Sequence, residues 1–187
     1  RLAGGDAWFR ERTAEILRAH GGWFETAEHS SATRLEFDKA LVNLTSNLLG
    51  QIYAIDEQGR FTPLRVREIL KPEHEPAMRE LAEHVFAVGR AVKAYGEADA
   101  LEQLYRTMME TNRQHDDHIP SSLQWVDLRL RQKQLEPRLT PTEEWLIEPL
   151  IRYAHAAGLH ETAAYFERLR SELLRKLTLA AGAGQMR

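Results

Sequence analysis

Lys39, Asn43 and Asn47 stand four apart in the stretch Phe37-Asp38-Lys39-Ala40-Leu41-Val42-Asn43-Leu44-Thr45-Ser46-Asn47-Leu48. On a helix, about 100° of rotation per residue leaves each only ~40° from the last, so the three form one polar stripe. Leu41, Leu44, Leu48 and Ile52 share a broad apolar arc with Phe37 on the same rod. Elsewhere the polar faces are thick with Arg and Glu, but Asn43, Ser46, Asn47, Gly50 and Gln51 are all neutral. Asparagine is a poor interior helix residue because its side chain competes for backbone hydrogen bonds. A neutral amide stripe beside one amine suits a groove wall that holds a polar ligand. The alternative is an ordinary solvated face that lacks charge.

Other chemistries fare worse. His115-Asp116-Asp117-His118 carries nitrogen and oxygen ligands of the kind zinc or iron accepts, yet it borders Pro120 and needs a third ligand from elsewhere. It reads better as a solvated loop, and no metal site is expected. A helical di-iron site needs Glu-x-x-His pairs, and no histidine here has a glutamate three residues before it. No Gly-x-Ser-x-Gly elbow, Gly-x-Gly-x-x-Gly turn or P-loop occurs. With no cysteine, thiol catalysis, disulfides and thiolate metal sites are excluded. The absence of disulfides agrees with a cytoplasmic protein.

The 187 residues suffice for one sizeable core, and 43% apolar with 28% charged residues is ordinary for a globular protein. A net charge of -3, with basic and acidic residues interleaved, gives no reason to expect nucleic acid. No apolar run is long enough to span a membrane.

The elements that must carry these residues read as helices throughout. Asp6 caps a first helix that turns Trp8, Phe9, Ile16 and Leu17 inward, and Gly21-Gly22 stops it. Trp23 to His29 is the one stretch that suits an extended chain, and Ser30 or Ser31 caps a long central helix to Ala54. Asp56-Glu57-Gln58-Gly59 is a turn. Thr62-Pro63 opens a short helix ending near Leu70, and Pro76 starts another with Met78, Leu81, Ala82, Val85, Val88 and Val92 on one face, closed by Gly96. Ala98 to Gln114 turns Leu101, Leu104, Tyr105 and Met108 inward. Ser121 or Ser122 begins a helix with Leu123, Val126 and Leu130, interrupted at Pro137. Thr140-Pro141 opens one with Trp145, Leu146, Leu150, Ile151 and Ala154 inward, up to Gly158; Thr162 begins the last, with Tyr165, Phe166, Leu169 and Leu173. The expectation is an all-α bundle around one long central helix, a single domain over 1–179 with a flexible tail over 180–187.

Three segments in the same order resemble the ketopantoate reductase family. Lys39-x-x-x-Asn43-x-x-x-Asn47 is similar to its Lys-x-x-x-Asn-x-x-x-Asn helix, Ile119-Pro120-Ser121-Ser122-Leu123-Gln124 to the Ser-rich opening of a later helix, and Thr142-Glu143 to its Thr-Glu segment. The resemblance implies a domain like the C-terminal helical domain of 6-phosphogluconate dehydrogenase. It further implies an NADP-dependent oxidoreductase acting on a 2-oxo acid or similar carbonyl, NADP being bound by an N-terminal Rossmann domain not present in this chain. By the same resemblance Lys39 is the general acid, Asn43 and Asn47 orient the substrate or the lysine, Ser122 binds the substrate carboxylate, and Glu143 hydrogen-bonds the substrate near the lysine. Glu144 is the alternative acid. An ammonium stabilises a developing alkoxide and amides orient hydroxyl and carbonyl groups, which suits these residue types. The chain departs from the family in an apparent insertion, Gln132 to Leu139, and in Pro149 near the family's glycine. The contrasting expectation is a non-catalytic helical module for dimerisation, as a homodimer, or for partner binding.

Overall fold

The computed structural model describes residues 6–19 and 32–185. Its helices, in chain order, are α1 (Ala7–Ala19), α2 (Ala32–Asn43), α3 (Gly50–Ala54), α4 (Val66–Ile69), α5 (Glu75–Ala91), α6 (Leu101–Arg113), α7 (Ser121–Arg131), α8 (Pro141–Ala156) and α9 (His160–Gln185). A π turn, Leu44–Leu49, joins α2 to α3 without a break, and a 3₁₀ turn, Pro72–His74, leads into α5. The chain is an all-α multi-helix bundle. The one sheet-like contact among the described residues is a single antiparallel bridge, Ile55 to Phe61. None of the described helices is long and apolar enough to cross a membrane.

The rod formed by α2, the π turn and α3 is the element the others cover. Phe37, Leu41, Leu44 and Leu48 are buried as the apolar period requires, and Ile52 is half-buried. Within the π turn every residue is buried, polar ones included. Met78, Leu81, Val85 and Val88 of α5 face this rod, and Ile147 of α8 with Phe166 and Leu173 of α9 complete the core. Polar ties hold its ends. Tyr95 Oη donates to Asp38 (2.9 Å), and Arg34 pairs with Asp99 (2.6 Å). On α9, the buried Lys176 ammonium donates to the Ile55 carbonyl (2.8 Å) and to Glu57 (2.6 Å).

The structure departs from the sequence reading at several elements. Trp8 and Phe9 are 66% exposed and Ile16 is 50% exposed, so the apolar face of α1 is not turned into the described core. Asp6 does cap that helix, its Oδ1 accepting the Trp8 N–H at 2.8 Å. The readings at Gly21-Gly22, Trp23 to His29 and Ser30 or Ser31 lie outside the described residues. Thr62-Pro63 does not open a helix: the chain there runs on from the Ile55–Phe61 bridge, the Thr62 N–H donating to the Ala54 carbonyl (2.8 Å), and α4 starts only at Val66, with the Arg65 N–H on Glu68. Gly96 lies beyond the end of α5, which stops at Ala91, and α7 ends at Arg131, well before Pro137. Trp145 is 76% exposed rather than inward. Helix α9 continues to Gln185 with Ala180 buried, where the sequence suggested a tail.

The turn at residues 56–59 is pinned against α9. Gly59 has φ +73°, and a Cβ there would lie 2.3 Å from the Leu179 carbonyl oxygen. Both the left-handed conformation and the close backbone approach demand glycine. Gly59→Ala is expected to lower unfolding free energy by about 1–3 kcal/mol, read as a fall in the urea midpoint; an unchanged midpoint would mean that the turn does not sit on α9.

Candidate functional site

The sequence-derived residues fall into two groups. Lys39 is exposed on α2, and Asn43, the last residue of that helix, is half-buried. Neither side chain makes a hydrogen bond or ion pair among the described residues. Asn47, Ser122 and Glu143 are all buried and bonded into one network. Asn47 Oδ1 accepts the Ser122 backbone N–H (3.1 Å) and the Ser121 hydroxyl (3.3 Å), and Ser122 Oγ donates to Glu143 Oε1. Three elements distant in sequence, the π turn, α7 and α8, therefore meet at this point.

Local chemistry explains the convergence. Pro120 precedes α7 and has no side chain able to cap it. Helix N-termini leave backbone N–H groups unsatisfied, and here the amide of Asn47 reaches across the core to take one of them. The π turn helps aim that amide. With backbone bonds reaching i+5 instead of i+4, rotation per residue falls below the α-helical value, so residues four apart drift less than the ~40° of an α-helix. Ser46 Oγ returns its proton to the Val42 carbonyl (3.1 Å), satisfying a polar group that would otherwise be stranded in the core.

Gln51 is the member that the sequence reading did not assign. It is fully buried, and its Nε2 donates to the Asn47 carbonyl at 3.2 Å. Its amide also lies within reach of the Glu143 carboxyl. The signal was present: 39, 43, 47 and 51 continue one spacing of four, ending on a second amide.

The structure separates Glu143 from Glu144. Glu143 is 1% exposed, whereas Glu144 is exposed and lines a cleft of about 770 Å³ with Trp125, Arg138, Glu148 and Arg170. Glu143 precedes the buried Ile147, Leu150 and Ala154 by four, seven and eleven residues, so helical period alone turns it inward. Burial pushes its carboxyl above the usual glutamate range, against the opposing pull of Ser122, the backbone at Glu143 and Thr140, and Gln51. Pro137, Arg138 and Leu139, from the apparent insertion, line the same cleft as Glu144; Lys39, Asn43, Asn47, Ser122 and Glu143 do not line it.

The histidine-rich stretch serves as a backbone anchor. The carbonyls of His118 and Asp116 accept the N–H groups of Val66 and Arg67 (both 2.9 Å), and Asp117 pairs with Arg67. No group of three or more potential metal ligands converges among the described residues. Comparison with family models, with curated proteins and with solved structures returned no match.

Removing the Asn47 amide strands the Ser122 N–H in the core. An unsatisfied buried donor costs about 1–3 kcal/mol, so Asn47→Ala should lose stability of that order in chemical denaturation. Hydrogen exchange at the first turn of α7 should accelerate with it.

Proposed function

We propose that this chain is the substrate-side helical domain of an NADP-dependent reductase of 2-oxo acids or similar carbonyls, like the ketopantoate reductases. The observation that carries the reading is the hydrogen-bonded run from Asn47 through Ser122 to Glu143, which joins all three segments of the family resemblance. The unspent ammonium of Lys39 and amide of Asn43 lie about two turns and one turn before Asn47 on the same rod. In this reading Lys39 gives its proton to the carbonyl oxygen as that oxygen gains charge, and Asn43 orients the substrate. The buried network holds the rod and α7 in register so that the rim is preorganised. The described residues offer no strand and no Gly-rich turn for a dinucleotide. They do not fit the cofactor, whose binding belongs to the separate Rossmann domain that the resemblance implies.

Two titrations test this. Calorimetry with NADPH should show no saturable binding to the chain, and tight specific binding would refute a cofactor site lying elsewhere. Amide NMR during addition of a 2-oxo acid should move resonances around Lys39, Asn43 and Ser121 in the low-millimolar range, roughly −4 kcal/mol of affinity, and Lys39→Ala should abolish the shifts. Absence of shifts there in the wild type would remove the support for a substrate site.

The near-complete burial of Asn47, Ser122 and Glu143 favours a second reading, in which the network is purely structural and the chain is a non-catalytic dimerisation or partner-binding module. Light scattering separates the two. A concentration-dependent dimer weakened by Lys39→Ala, with no 2-oxo-acid shifts, favours the module.

A further inference from the structure

Polar groups in a protein core are almost always paired, yet the carboxyl of Glu143 stands among several that are not, the hydroxyl of Thr140 included. Glu143 Oε2 and Gln51 Oε1 are both buried without a hydrogen-bond partner. Both are acceptors when the glutamate is ionised, so neither can satisfy the other. An ionised carboxylate here would also be a buried charge with no cation beside it, which is strongly unfavourable. One proton removes both difficulties. Protonation discharges the carboxyl and turns Oε2 from an unsatisfied acceptor into a donor.

We propose that Glu143 is held as the neutral carboxylic acid at the junction of the rod with α7 and α8. The inference does not depend on the reductase reading; it rests on which buried atoms lack partners.

No charge from the surrounding elements replaces that proton. The π turn and α3 contain no Asp, Glu, Lys, Arg or His, from Leu44 to Ala54. On α2, Asp38 accepts from Tyr95 and Lys39 is exposed. Asp127 of α7 pairs with Arg131, and Arg129 donates to Gln134. On α8, Glu144 is exposed and Glu148 pairs with Arg170 of α9. On α5, Arg79 pairs with Glu75, His84 faces Thr162, and Glu80, Glu83 and Arg90 are exposed. Lys176 of α9 is committed to Ile55 and Glu57. The influences on Glu143 itself are burial and neutral hydrogen-bond donors.

The sign of the linkage follows. Burial raises the carboxyl of the folded state above the ordinary glutamate value of 4.5. The stabilisation is therefore complete below that value and is lost as pH climbs toward and through the raised one, where only the unfolded chain has already given up its proton. Across that window the unfolding constant should rise by up to about tenfold per pH unit from this group alone.

Infrared spectroscopy tests the proton directly. At neutral pH the folded wild-type chain should show a carboxylic-acid carbonyl band that disappears on unfolding in urea and is absent from Glu143→Gln. That variant carries a neutral side chain of the same shape, so it should keep the fold and flatten the pH dependence of the urea midpoint above the ordinary glutamate range. A wild-type spectrum without the acid band at neutral pH overturns the proposal, and so does a Glu143→Gln chain that folds yet keeps the wild-type pH slope.

Discussion

Helix α7 begins with a proline at its capping position, and the group that satisfies its buried N–H comes from Asn47, in the π turn of the central rod. A local cap would fix only where a helix starts. A cap supplied from another element fixes where the helix stands, because the amide can reach the Ser122 N–H at 3.1 Å in only a narrow range of orientations. The Ser121 and Ser122 side chains extend the same junction, one to Asn47 and the other to Glu143 of α8. The packing of three elements is thus set by directional bonds as well as by apolar contact.

This explains why an uncharged polar segment lies at the centre of the molecule. Thr45, Ser46, Asn47 and Gln51 are buried together on one rod, where apolar residues would pack at lower cost. Apolar packing alone tolerates sliding and rotation of helices past one another. A network of amides, hydroxyls and a carboxyl does not, since each displaced bond leaves a buried group unsatisfied. The polar core confers a unique arrangement of α7 and α8 against the rod, at some expense in stability.

Much of the bundle could be read from the chain. The proline-led start of α8, the apolar period of α5 and the inward residues of α6 follow from local rules, and the structure keeps them. What escaped had identifiable causes. The π turn leaves no pattern that an α-helical period would register, since it changes hydrogen-bond reach and not residue type. Trp145 is apolar by type and so suggests an inward position, yet it stands on the side of α8 opposite Ile147, Leu150 and Ala154. Trp8 and Phe9 illustrate the general limit: periodicity tells which residues share a face, not whether anything covers it. Within the site, spacing grouped Lys39, Asn43 and Asn47 but could not say that the first is exposed and the last buried. Depth within the bundle depends on which neighbours lie across the rod, and that is decided by chain segments more than 70 residues away.

Helix α9 contributes Phe166, Leu173 and Leu177 to the middle of the core and packs against α8. A ribosome makes it after every element it covers, so the preceding helices must emerge with that side of their apolar surface open to water. Until α9 arrives, the nascent bundle offers a long hydrophobic trough, the kind of surface that molecular chaperones shield during translation.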